Sequence, residues 1–258
     1  MGARFSWVAW CIPLVPIGIG AALYFTESQQ STFLAMNTVT RLAPDWIWTW
    51  ITFLGNGWGV FALSFPLLIL APRALSAGIF AGGVAAIVSA LLKNAFSLPR
   101  PAGILQDHEF YRIGGAVFHK AMPSGHTLTA FAIAGAYFFT VPTEKRKPLI
   151  LLFIAASAVG LSRNAIGAHW LTDVLVGAGL GIWCGLIGAK LACLLPNKQL
   201  SPRSLWPRLI AIGGLASLYV LLNETLDHPL NMPLQYACIA LVLLTLVLFL
   251  QQQSRRRI

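Results

Sequence analysis

Acidic side chains are scarce: 8 Asp and Glu stand against 18 Lys and Arg in 258 residues, and charged residues of both signs make up only 10%. Soluble domains average about 25% charged residues, so this chain lacks the charge to coat a water-exposed globule. Cysteine is equally sparse. Cys11, Cys184, Cys193 and Cys238 lie inside apolar runs with no CxxC or Cys/His spacing, so no metal site is read from them and they serve as small apolar packing residues. Internal repeats, low-complexity tracts and long Pro/Gly/Ser linkers are absent too, which predicts one integral membrane domain over 1–258. What abounds is apolar: 57% of the residues are hydrophobic and the mean hydropathy is +0.73, values of the membrane class. The net charge of +10 would suggest nucleic acid in a soluble protein. Here the basic residues sit at the ends of apolar runs and read as topology determinants, so no nucleic-acid partner is expected.

A bilayer core of about 30 Å takes about 20 apolar residues per helix, which gives about eight candidate spans. They run over 5–25, 46–70, 74–96, 124–141, 149–161, 170–191, 209–222 and 233–250. The first has no convincing signal-peptidase site and is taken as uncleaved. Arg4, Arg73, Lys145 to Lys147, Lys198, Arg203, Arg208 and Arg255 to Arg257 fall at one set of ends, which places those ends and both termini in the cytoplasm. The opposite side receives 27–45, 97–123, 162–169 and 223–232. Trp46, Trp48, Trp50 and Trp58 read as interfacial anchors, and the terminal arginines as a lipid-surface patch. Gly177, Gly181 and Gly185, at four-residue spacing, read as a close-packing helix face.

Three segments carry polar chemistry at the edge of hydrocarbon, where a central Lys, Arg or Asp costs about 2.5 to 3.5 kcal/mol. In the first, Lys93 closes a span, and Pro99 and Pro101 hold Arg100 in extended chain. In the second, Pro123-Ser124-Gly125-His126 opens a helix, whose free N–H groups and positive dipole end suit an anion. In the third, Arg163 follows Ser162, and His169 and Asp173 stand four apart, on one helical face where the carboxylate can orient the ring. The topology brings all three to one face. Lys93, Arg100 and Arg163 would surround a phosphate, while Asp173 fixes the tautomer of His169 and leaves its other nitrogen free to attack phosphorus.

The pattern Lys93-x6-Arg100-Pro101, Pro123-Ser124-Gly125-His126 and Ser162-Arg163-x5-His169-x3-Asp173 resembles the complete three-part signature of the type-2 phosphatidic acid phosphatase (PAP2) superfamily, in its integral-membrane lipid phosphatase branch. The soluble vanadium haloperoxidases have a similar signature. The resemblance implies an all-α polytopic bundle of about eight spans with a six-helix phosphatase core; the catalytic core is expected at about 74–192 and additional helices at about 209–250. It also implies catalysis without metal or cofactor. His169 would become a phosphohistidine, His126 would protonate the leaving oxygen and later activate water, and Asp173 would support His169. Lys93, Arg100, Ser124, Gly125 and Arg163 would hold the phosphoryl oxygens.

The expected substrate is a lipid phosphate reached from the bilayer. Undecaprenyl diphosphate is the first choice, followed by phosphatidylglycerol phosphate, phosphatidic acid and lipid A phosphates. A bacterial inner membrane with the site on the extracytoplasmic side is expected, with oligomeric state left open. Two other readings are a lipid-to-lipid phosphotransferase and a lipid or phosphate transporter without turnover; the transporter lacks its usual pair of broken helices in matching halves. His119 and His228 read as packing or hydrogen-bonding residues. The 102–122 segment, with Asp107, His108, Glu109, Arg112 and Lys120, reads equally as a gate, a head-group reader or a solvated loop.

Overall fold

The computed structural model describes residues 5–254, all of whose regular elements are helical. Arg4 and the Arg255 to Arg257 patch lie outside them. In chain order the helices are α1 (Trp7–Cys11), α2 (Leu14–Phe25), α3 (Gln29–Thr40), α4 (Asp45–Phe53), α5 (Gly57–Ser64), α6 (Leu67–Leu70), α7 (Pro72–Phe96), α8 (Gly125–Thr140), α9 (Ile150–Ala165), α10 (Leu171–Leu194), α11 (Leu205–Asn223) and α12 (Met232–Ser254).

Among the described residues, 6 helical stretches have the length and apolarity to cross a membrane: Trp7–Phe25, Pro72–Gly103, Lys147–Ala165, Leu171–Leu194, Asn197–Asn223 and Pro229–Ser254. Two of the expected spans differ. The 124–141 span is the 16-residue helix α8, and the 46–70 span is cut into α4, α5 and α6. One cut falls at Gly55-Asn56, where Asn56 Oδ1 accepts from the backbone N–H of Trp58 at 3.0 Å and of Gly59 at 3.2 Å and so starts a new helix. The other falls at Pro66, which has no N–H for the ladder.

The long helices end where the local chemistry dictates. Pro72 stands at the first turn of α7, where a missing N–H costs nothing, and the helix stops at Ser97 in left-handed conformation (φ 43°) ahead of Pro99 and Pro101. Arg73 reaches across to the far end of α10, donating to the carbonyls of Ala192 and Leu195 and to Asn197 Oδ1. It therefore caps a negative helix end.

α10 is the central helix and lies against α8, α7 and α2. Its contact with α8 and α7 is built from Ala77, Ala81, Ala85, Leu128, Ala132, Ala136 and Cys184, small residues that let backbones approach closely. The glycine face reads as expected: a Cβ on Gly181 would come within 2.5 Å of Leu128 O, and one on Gly185 within 2.7 Å of Ala132 O. A second core, including Phe53, Phe65, Leu75, Leu218, Leu221, Cys238 and Val242, joins the α11–α12 hairpin to α4 through α7. Cys184 and Cys238 are buried packing residues, whereas Cys11 is exposed. Much of the outer surface is apolar, with Trp7, Phe25, Leu151, Leu194 and Tyr219 exposed. An apolar exterior around long apolar helices is the anatomy of an integral membrane protein.

Candidate active site

The three polar segments meet at one end of α7, α8 and α10. Ser124 N donates to Asp173 O at 3.0 Å, stitching the start of α8 to the start of α10. Arg100 is extended (φ −85°, ψ 170°), and its Nη1 donates to Ala168 O at 3.3 Å, next to His169. Trp170 Nε1 donates to Pro99 O at 2.9 Å, holding the Arg100 stretch against the root of α10. Lys93, in the last turn of α7, sends its ammonium over the first residue of α8, where a Cβ on Gly125 would stand 3.5 Å from Lys93 Nζ. His169, Arg100, Arg163 and Lys93 are close enough to act on one another electrostatically.

His169 and Asp173 are paired, by a route other than a shared helical face. His169 precedes α10, and Asp173, in its first turn, reaches back as a capping carboxylate. Asp173 Oδ2 lies 3.1 Å from His169 Nδ1 and accepts from Trp170 N at 3.0 Å. An accepting carboxylate puts the ring proton on Nδ1 and leaves the Nε2 lone pair unshared. Both side chains are almost fully buried. Burial first, then the positive charges of Arg100, Arg163 and Lys93, hold the His169 imidazole well below its ordinary pKa, so it is neutral near pH 7.

Arg163 is buried at 8% exposure. Its Nη1 donates to Thr52 Oγ1 at 3.0 Å, while its Nε has no partner. A buried guanidinium N–H without an acceptor is costly at rest and leaves a donor for an incoming anion. Ser124 is fully buried, and its Oγ accepts from Thr127 Oγ1 at 3.0 Å. His126, in the first turn of α8, has its Nε2 3.0 Å from Asp227 Oδ1. Gly55 permits this arrangement, since a Cβ there would lie 2.8 Å from both Cβ and O of His126.

Several contributors were not singled out from the sequence. Thr52 accepts from both Arg163 and Ser162, the latter at 2.9 Å. Asn37 on α3 donates to the carbonyls of Tyr111, Asn164 and Ala165 and accepts from Tyr111 N, fixing the 102–122 segment to the end of α9. Phe33, Phe110 and Trp170 stack edge to face beneath that segment. Asp227 lies in the α11–α12 loop and also accepts from Asn56 Nδ2 at 3.1 Å. Burial works against its charge, but the His126 hydrogen bond and the charges of His126 and Arg163 prevail and hold its carboxyl below the usual range. Trp48 and Trp50 donate to Thr40 O and Leu230 O, so they tie elements together, while Trp46 and Trp58 are partly exposed. His228 Nδ1 accepts from Leu230 N at 3.1 Å, a local turn contact. The ring of His119 is exposed, and its carbonyl accepts from Arg100 Nε at 2.9 Å.

Two cavities adjoin the cluster. An apolar one of about 750 Å³ is lined by α5, α7, α8 and α11, with Gly82, Ala86, Ile133 and Ala216 on its walls and Gly125 and His126 at its edge. A smaller polar one of about 140 Å³ is bounded by Arg100, Arg112, Arg163 and Asp227. The 102–122 segment thus forms one wall of the polar cavity.

The PAP2 superfamily family model matches residues 74–192. The segment that holds all three polar stretches is thus similar to the PAP2 superfamily. Among solved PAP2 structures it resembles Aquifex aeolicus LpxE, with a TM-score of 0.54 and 29% identity over 62% of this chain and 93% of that one. It also shares the fold of the transmembrane PAP2-type phosphatidylglycerolphosphate phosphatase of Bacillus subtilis, at TM-score 0.54 and 24% identity over 69% and 93%. A lipid A 1-phosphatase of Porphyromonas gingivalis is 37% identical over 76 residues, 30% of this chain and 17% of that protein. One of Rhizobium johnstonii is 30% identical over 111 residues, 40% of this chain and 41% of that protein. The chain therefore spans less than half the length of these lipid A 1-phosphatases.

Proposed function

We propose that this chain is a membrane lipid phosphatase that forms a phosphohistidine on His169. The observation that carries the reading is the His169 imidazole, its Nδ1 3.1 Å from Asp173 Oδ2, close enough to Lys93, Arg100 and Arg163 for their charges to act on it. Nε2 attacks phosphorus while the three cations, the α8 N-terminus at Gly125 and the Ser124 hydroxyl hold the remaining oxygens. His126 gives its proton to the leaving oxygen and later takes one from the attacking water.

The apolar cavity beside His126 supports a lipid rather than a soluble phosphate ester, since it offers the hydrocarbon a dry seat next to the reacting centre. The relatives named lipid A 1-phosphatases move a phosphorylated glycolipid ahead of undecaprenyl diphosphate as the leading substrate. The site is assigned to the extracytoplasmic face of a bacterial inner membrane, on the strength of the basic residues at the other helix ends.

The test is phosphate release in detergent, with chelator present, from lipid A 1-phosphate, phosphatidic acid, phosphatidylglycerol phosphate and undecaprenyl diphosphate. Release from the glycolipid and trapping of labelled phosphate on His169 are expected, and His169→Ala abolishes both while the protein still folds. Near-normal turnover by His169→Ala refutes the nucleophile; no release from any lipid refutes the phosphatase.

A further inference from the structure

The geometry points to Asp227, carried by the α11–α12 hairpin outside the PAP2-matched segment, as the residue that positions His126 and selects against diphosphate lipids in favour of phosphomonoesters. The inference rests on the phosphatase reading above.

Asp227 is held in place by a scaffold of buried side chains that also closes the end of α11. Its backbone is left-handed (φ 62°), a conformation uncommon outside glycine that Asp adopts more readily than most residues. The fully buried Gln235 accepts from Leu226 N at 3.1 Å and donates to Glu224 O at 2.8 Å and Leu221 O at 3.2 Å. The fully buried Asn231 donates to Leu226 O at 3.1 Å, and Trp50 clamps Leu230 O from α4. These bonds fix the loop on both sides of Asp227. Its two oxygens are then divided, Oδ1 to His126 Nε2 at 3.0 Å and Oδ2 to Asn56 Nδ2 at 3.1 Å. His126 and Asp227 remain about one-fifth exposed, at 21% and 18%. The pair also links the walls of the two cavities, since His126 lines the apolar one and Asp227 the smaller one with Arg100 and Arg163.

A lipid with its hydrocarbon in the apolar cavity and its phosphate among Lys93, Arg100 and Arg163 has its scissile P–O bond beside this pair. His169 Nε2 forms the N–P bond as the P–O bond breaks, and the leaving oxygen takes the proton of His126 Nε2. Water then gives a proton to His126, its oxygen bonds to phosphorus, the N–P bond breaks and inorganic phosphate departs. The proton moves from the ring edge that faces Asp227, so the leaving group is pressed against the carboxylate. A monoester leaves as a neutral alcohol or sugar hydroxyl, which that carboxylate accepts. A diphosphate leaves as a phosphate monoester anion, and two negative charges then lie side by side.

The experiment uses farnesyl phosphate and farnesyl diphosphate, whose tails are identical, with the full-length protein in detergent and its Asp227→Asn and Asp227→Ala variants. Wild type is expected to favour the monophosphate in kcat/KM. Both variants lose monophosphate kcat and shift the monophosphate-to-diphosphate ratio of kcat/KM by on the order of tenfold toward the diphosphate. A purely structural role for Asp227 would lower both substrates together and leave the ratio unmoved. A ratio within about twofold of wild type in both variants, or a wild type that prefers the diphosphate, overturns the inference. Absence of phosphate release from any lipid by wild type would instead overturn the phosphatase reading on which it rests.

Discussion

Replacing Gly125 by Ala separates the anion cradle from the fold that carries it. Gly125 opens α8, and a Cβ built there stands 3.5 Å from Lys93 Nζ and 3.7 Å from Ser89 Oγ, ordinary contact distances that require no atom to move. Alanine is also the better helix former, by up to about 1 kcal/mol, so thermal stability in detergent holds or rises slightly. The new methyl, however, occupies the space between the helix N-terminus and the Lys93 ammonium, where the proposed site seats a phosphoryl oxygen. Displacing that oxygen removes at least one charge-assisted hydrogen bond, worth about 1.5 to 3 kcal/mol, which is roughly a ten- to hundredfold fall in kcat/KM. Orthovanadate, a phosphate mimic, should lose inhibitory potency in parallel. The contrasting substitution is Gly55→Ala, whose Cβ would lie 2.7 Å from Val159 Cγ1 and 2.8 Å from His126 O and which lowers stability and activity together. Initial rates of phosphate release and a thermal-shift curve decide the matter. Gly125→Ala with kcat/KM within about threefold of wild type and an unchanged melting temperature would show that no oxygen sits above this helix end.

Thr52→Val keeps the side-chain shape but takes away the acceptor shared by Arg163 Nη1 and Ser162 Oγ. Ser162 Oγ keeps Val159 O at 2.7 Å, so the stranded donor is Arg163 Nη1; it costs about 1 to 3 kcal/mol, read as a lower melting temperature, and a less firmly held Arg163 raises KM for the lipid more than it lowers kcat. The pH response follows from His169, whose pKa lies well below its ordinary value in the fold because of burial and the neighbouring cations. The ring stays neutral and nucleophilic through pH 6.5, so the acid limb of kcat/KM falls below that point. In the same range the unfolded chain, with a free imidazole pKa of about 6.5, binds the proton that the folded chain refuses. Stability therefore declines as pH drops through about 6.5, and an acid limb assigned to His169 above that value would contradict the burial seen here.

The helical class, the long apolar helices and the gathering of Lys93, Arg100, Ser124, Gly125, His126, Arg163, His169 and Asp173 were legible because each has a local signal. Apolar runs report membrane helices, prolines at 99, 101 and 123 report breaks, and charges in apolar chain report a site. What failed was continuity inside an apolar run. Over 46–70 the composition is uniformly membranous, so hydropathy reads one helix. The local chemistry of Gly55-Asn56-Gly57, two flexible residues around a strong N-cap, was the only mark that the helix restarts there. The relation of His169 to Asp173 failed in a smaller way. Four-residue spacing is the same for a shared helical face and for a capping carboxylate, and only the start of α10 at Leu171 separates them.

The contributions of Thr52, Asn56 and Asp227 are of another kind, since each acts on a residue more than 100 positions away. No window along the chain contains both partners. Charge accounting does offer a route to them. The matched segment places three cations and two imidazoles around a single carboxylate, Asp173, in apolar surroundings that screen poorly. Such a cluster needs further anionic or acceptor groups at rest, and a chain with only 8 acids has few to give. Asp45 is engaged by Tyr111 and Asp107 by Arg112, and Glu109 accepts from Gln106 N. Glu27, Glu224 and Asp227 remain on the side expected to face the site, and of these it is Asp227 that bonds His126. In a sequence this poor in negative charge, the placement of each acid carries information that in an ordinary soluble protein would be lost among dozens of surface carboxylates.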